Sequence, residues 1–194
     1  MSPRLRLDGW RLVGWTALGL FVLTALVAGI NGTGEDGLAA AARTTARTSL
    51  LLFLAVYSAS PLYMLLPGRA GRWQLNNRRY LGLSFAVSHG FHAVAIVTLS
   101  AATPHESYDP ATLAAGGLGY LFVAAMAATS FDRSADWIGR KNWRRLHVTG
   151  LHLLWLVFAL TYLDRSSGDP LAVVALGLLL AAAALRLYRR FAGA

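Results

Sequence analysis

Charged residues and turn-formers fall in short stretches between six long apolar runs of this chain. The runs cover approximately residues 12–30, 49–66, 80–101, 113–131, 146–163 and 171–188, each near the ~20 residues a helix needs to cross a bilayer core. Between them lie Asn31-Gly32-Thr33-Gly34, Pro67-Gly68, Thr103-Pro104, Asp109-Pro110 and Gly168-Asp169-Pro170, all turn chemistry. The pattern predicts an all-α polytopic membrane protein, a six-helix bundle forming one domain over residues 1–194, with no room for a soluble domain. The second run contains Pro61, with Ser58, Ser60 and Tyr63 nearby to satisfy the carbonyl that a proline frees. Small residues crowd the fourth and sixth runs, at 114–119 and 181–184, and predict close helix approach.

Composition agrees with a membrane setting: 56% of residues are hydrophobic and 14% charged, against ~25% charged in ordinary soluble domains. The absence of cysteine excludes disulfides, thiolate metal sites, iron–sulfur clusters and cysteine nucleophiles. A net charge of +9 raises the question of nucleic acid, but the basic residues stand between apolar runs and make no binding face, so no nucleic-acid partner is expected. Gly116-Gly117-Leu118-Gly119 lies inside an apolar run with no strand pattern before it, which argues against a phosphate-binding loop.

Charge does fix an expected orientation. Of 18 basic residues, all but Arg43, Arg47 and Arg165 lie at the two termini or in the second and fourth loops. Glu35, Asp36, Glu106, Asp109, Asp164 and Asp169 lie on the other side. The bias places both termini and the even-numbered loops in the cytoplasm, as a multi-pass protein of the cytoplasmic (inner) membrane in contact with lipid. Arg43 and Arg47, just before the second run, are read as snorkelling to the interface, with a ligand carboxylate as the other reading. The first run has a basic start like a signal sequence, yet no small-x-small cleavage site follows, and it is read as a span.

The candidate chemistry is histidine. Ser88-His89-Gly90-Phe91-His92 lies in the third run, and His147 and His152 lie in the fifth, within Trp143 to Trp155. An ionisable or ligating side chain inside a membrane is costly and points to function. Three residues apart, His89 and His92 differ by ~300° in azimuth and ~4.5 Å in height. Counted from Tyr80, His92 lies roughly 18 Å deep; counted from Trp143, His152 lies roughly 14 Å deep and His147 roughly 6 Å. The two runs are expected to point the same way, so His152 matches His89 and His92 in level.

Two neutral imidazoles from facing helices suit a six-coordinate haem b that passes electrons. Zinc would want three or four ligands with some carboxylate or thiolate, and no Asp or Glu lies in any run. His105, in the acidic outer loop, is read as solvated.

Two segments carry a family likeness. Arg78-Arg79-Tyr80-Leu81-Gly82-Leu83 followed by His92, and Thr129-Ser130 followed by Ile138-Gly139-Arg140-Lys141-Asn142-Trp143-Arg144-Arg145-Leu146-His147, resemble the ferric reductase-like transmembrane domain family. The likeness is to its small haem b membrane subunits, such as that of the periplasmic methionine sulfoxide reductase system. It covers residues 78–163, and the other spans only in hydropathy. It implies haem b held between the third and fifth spans and electrons passed across the membrane, with His92 and His147 at the motif's ligand positions. Two-haem members carry a second histidine about 13 residues along each helix, whereas Leu160 and Arg79 stand there in this chain. One haem is therefore favoured, and a second is left open.

The motif prefers His92 with His147; depth prefers His92 with His152. The expectation adopted is His92 and His152 on the iron, with His147 and His89 as alternatives. Arg79 and Arg145, together with Arg78 and Arg144, are the candidates to pair with haem propionates. Trp155, Phe91 and Phe85 are candidates to wall the macrocycle. With no nucleotide- or flavin-binding domain, the chain is expected to be an electron-transfer subunit, relaying to or from a quinol, a flavoprotein or a periplasmic oxidoreductase subunit. The rival expectation is a haem-free small transporter or assembly subunit whose histidines bind a metal transiently or hydrogen-bond.

Overall fold

The computed structural model describes residues 7–65, 67–104 and 109–192. Arg4, Arg6, Leu66, His105 and Glu106, each used in the expectations above, lie outside the described residues. The described residues form seven helices and no strand: α1 (Gly9–Asn31), α2 (Glu35–Leu65), α3 (Arg69–Asn76), α4 (Arg78–Ala102), α5 (Pro110–Ala128), α6 (Asp132–Arg165) and α7 (Pro170–Ala192). All except α3 are long and apolar enough to cross a membrane, six in all. The chain is thus all-α, with the make-up of a multi-pass membrane protein, whose backbone polar groups must be satisfied within each helix.

Three segments differ from the hydropathy pattern, each for a local reason. α2 begins at Glu35, well before residue 49, and carries Arg43 and Arg47 as exposed helical residues. Glu35 and Asp36 occupy its first turn, where negative charge is attracted to the positive end of the helix dipole, and the alanine-rich stretch that follows favours helix whatever its hydropathy. The basic stretch before the third span is an eight-residue helix, α3. The stretch before residue 146 is helical too, and α6 runs from Asp132 through a single break at Gly139, whose φ of 76° and ψ of 150° favour glycine.

Other turn residues act as expected. Asp109 caps α5, its Oδ2 accepting from the amides of Ala111 (3.1 Å) and Thr112 (3.2 Å), and Pro110 occupies the first turn. Near Pro61, Ser58 donates to the Leu54 carbonyl at 2.6 Å and not to that of Tyr57, the carbonyl the proline frees.

The chain divides into two compact units, Met1–Phe53 with Asn76–Ser107, and Leu54–Leu75 with Tyr108–Ala194. In the first unit α1 packs on α4. The amide of Gly9 donates to Asn77 Oδ1 at 2.9 Å, tying the start of α1 to the start of α4. Leu50 and Phe53 of α2 and Leu81 and Phe85 of α4 are buried, and so is a polar layer of Thr45, Ser49, Ser84 and Ser88. Ser49 Oγ and Ser88 Oγ stand 3.0 Å apart, so that two small hydroxyls join α2 to α4 where larger side chains would hold them off.

In the second unit α6 packs on both α5 and α7. Gly150 lets α5 in: a Cβ there would meet Met126 Sδ and lie 3.0 Å from Phe122 Cδ1. On the other side, the Trp155 indole donates to the Leu179 carbonyl of α7 at 2.9 Å, and Ala172, Ala175 and Ala182 of α7 are buried.

Candidate functional site

Each unit carries one histidine cluster. In the first, His89 and His92 lie near the middle of the 25-residue α4, their ring centroids 5.7 Å apart. Both are half-buried. The Phe85 ring lies 5.3 Å from that of His89 and 5.7 Å from that of Phe53, which makes Phe85 part of the packed core.

His92 Nδ1 lies 3.1 Å from Thr45 Oγ1, on a fully buried residue of α2. The threonine hydroxyl has one proton, and it is directed at the Ala41 carbonyl at 2.8 Å, with that of Ala42 at 3.1 Å. With that proton on a carbonyl, the oxygen is left to accept, and the Nδ1–H tautomer of His92 is the one that completes the pair. A neutral imidazole with Nδ1–H so placed keeps its lone pair on Nε2.

In the second unit the two histidines of α6 are held in different ways. His147 Nε2 lies 3.2 Å from Thr129 Oγ1, whose own proton goes to the Ala125 carbonyl at 2.7 Å. By the same argument His147 donates from Nε2, and its lone pair is left on Nδ1, the nitrogen next to Cβ and the helix backbone. The ring is fixed further by stacking on Trp143, 4.3 Å away, whose indole donates to the Thr129 carbonyl at 3.0 Å. His152 is exposed, and its Nδ1 lies 2.7 Å from the Val148 carbonyl. A carbonyl only accepts, so His152 donates from Nδ1 and keeps its lone pair on Nε2. The ring of Tyr57, a buried residue of α2, stands edge-on to it at 6.3 Å.

A haem iron with two histidine ligands needs two neutral rings, each with an accessible Nε2 lone pair and an Nδ1–H anchored to an acceptor. His92 and His152 both present Nδ1 to an oxygen in this way. His147 instead presents Nε2 to Thr129. His89 stands between the rings of Phe85 and His92.

The arginine candidates also divide. Arg79 is half-buried, with its Nε shielded from solvent, whereas Arg145 and Arg144 are exposed. Trp155 turns its N–H to α7. Among the described residues no group of three or more His, Asp or Glu stands close enough to hold a metal ion.

Thr45 and Tyr57 meet histidine rings, and hydropathy does not single them out. Thr45 stands beside Thr44 and Thr48 in a stretch broken by Arg43 and Arg47 and is a weak signal, since such residues usually bond their own helix. Thr129 belongs to the segment that carries the family likeness, but its pairing with His147 is a matter of packing between α5 and α6. No protein-family model, curated protein or solved structure matches this chain.

Proposed function

We propose that the chain is a haem b-binding electron-transfer protein of the cytoplasmic membrane, in which His92 and His152 would hold the haem, and a member of the ferric reductase-like transmembrane family. One observation carries the reading. Of the four histidines in the spans, His92 and His152 are the two whose Nδ1 donates to a fixed oxygen, at 3.1 Å and 2.7 Å, so that Nε2 keeps the lone pair. Anchoring Nδ1–H in this way orients the ring and raises its basicity as a ligand.

Haem b, when bound by two histidines, would supply a one-electron couple suited to relay. The protein's own contributions are the threonine and carbonyl anchors and the apolar helices that keep water out. Arg79, half-buried in the first turn of α4, is the better placed of the two propionate candidates, since a guanidinium there can engage a carboxylate bidentately. The electron donor or acceptor is a quinol, a flavoprotein or a periplasmic oxidoreductase subunit.

The test is a reduced-minus-oxidised absorption spectrum with haem content per chain, measured on protein made under ample haem supply. A b-type band at one haem per chain is expected. Its absence would favour the haem-free reading, in which these histidines are structural, as the Thr129 pairing makes His147.

A further inference from the structure

At the basic end of α7, Arg186, Arg189 and Arg190 line a cavity of about 470 Å³ together with Met64 of α2, all within the second unit. The spacing i, i+3, i+4 puts the three guanidinium groups on one helix face, where like charges repel. Among the described residues none of the three has a carboxylate partner. Topology alone accounts for basic residues near a helix end, but it calls for side chains that reach outward to water.

Arg186 does the opposite. Its guanidinium folds in over the ring of buried Tyr57, 4.2 Å from the centroid, and its Nη1 is shielded from solvent with no hydrogen-bond partner. A fixed cation with an unused buried donor, two more exposed cations beside it and an apolar wall at Met64 describe a receptor for an anion that carries an apolar body.

We infer that Arg186, Arg189 and Arg190 form a binding site for the phosphodiester headgroup of an anionic phospholipid. The phosphate oxygens meet the guanidinium groups, with Arg186 offering its free edge, and the glycerol and acyl portion runs along Met64. The site does not depend on haem.

Native mass spectrometry of the full chain in detergent tests it, with phosphatidylglycerol, phosphatidylcholine or inorganic phosphate as the added probe. Retention of phosphatidylglycerol over phosphatidylcholine is expected, weakened about fivefold in Arg186→Gln, since each basic group near a membrane surface contributes on that scale. Arg165→Gln, which removes the same charge elsewhere, should leave retention unchanged. Should Arg186→Gln not fold, the Arg189→Gln/Arg190→Gln double variant takes its place, because both side chains are exposed.

Equal retention of the two lipids, or equal effects of Arg165→Gln and Arg186→Gln, would overturn the inference. So would displacement of the lipid by an equal concentration of inorganic phosphate, which makes the site one for free phosphate. Loss of a b-type band in Arg186→Gln with lipid retention intact would make Arg186 the partner of an internal carboxylate instead.

Discussion

Two threonine–histidine pairs, one in each unit, look alike on paper and differ in the nitrogen they use. Thr45 Oγ1 of α2 pairs with His92 Nδ1 at 3.1 Å; Thr129 Oγ1, at the end of α5, pairs with His147 Nε2 at 3.2 Å. In both cases the hydroxyl proton is already spent on a carbonyl of its own helix, so the ring must be the donor. The first pairing uses Nδ1, the ring nitrogen nearer the backbone, and the second uses Nε2, the outer one. The same two residue types thus meet through different ring atoms in the two units. Hydrogen bonds between membrane helices average only ~0.6 kcal/mol, so the difference matters less for stability than for which lone pair is left.

The largest effects that separate the two pairs come from the rings themselves. His92→Ala and His152→Ala should each abolish the low-spin b-type spectrum, and His147→Ala should retain it. A low-spin spectrum that survives His152→Ala but not His147→Ala would reverse the assignment and restore the ligand position that the motif favours.

Gly150, between His147 and His152 on α6, gives the next effect. A methyl group there would collide with Met126 Sδ and crowd Phe122 at 3.0 Å, against an ordinary 3.7 Å to Leu154 for a methyl group at Gly119. Gly150→Ala should therefore cost about 1–3 kcal/mol of stability, as overpacking does, and lower the thermal midpoint in detergent. Gly119→Ala should leave it nearly unchanged; equal midpoints for the two variants would count against the close α5–α6 approach.

Thr45→Val against Thr129→Val tests the comparison directly. Loss of the anchor behind a ligand typically weakens cofactor retention 10- to 100-fold, and that is expected for Thr45→Val, with recovery in Thr45→Ser. Thr129→Val should keep the haem spectrum and lose about 1 kcal/mol of stability. Equal haem loss in both would mean that threonine anchors act on the fold and not on the ligand.

Which parts of this were legible in the chain follows from what sets them. Six spans could be read because a bilayer demands ~20 apolar residues in a row, and Asp109-Pro110 was visible as turn chemistry, although its role as the cap of α5 was not. The start of α2 could not be read from hydropathy, since Arg43, Arg47 and the threonines around them are compatible with helix while breaking the apolar pattern. The helical stretch from Asp132 to the break at Gly139 was hidden in the same way beneath its charges. The four histidines of the spans were visible as rarities. Their tautomers were not, because Thr45 and Thr129 come from other helices and only packing brings each to its ring.

The smallest effect is expected at Trp143, and it tests the quieter of the two pairs. Thr129 is the C-cap of α5, so its carbonyl is one of those a helix end leaves without an intrahelical partner. The Trp143 indole supplies that partner at 3.0 Å and stacks on His147 at 4.3 Å. Trp143→Phe removes the first contact and keeps an aromatic face for the second. Trp143 is 37% exposed, so water can reach the carbonyl once the indole N–H is gone. The cost should then fall at the low end of the usual 0.5–1.5 kcal/mol for a hydrogen bond, about 0.5 kcal/mol. Thermal unfolding in detergent would show a slight drop, with haem content and spectrum unchanged. If haem were lost in this variant, the tie at Thr129 would be orienting a ligand after all, and the two threonine–histidine pairs would have to exchange roles.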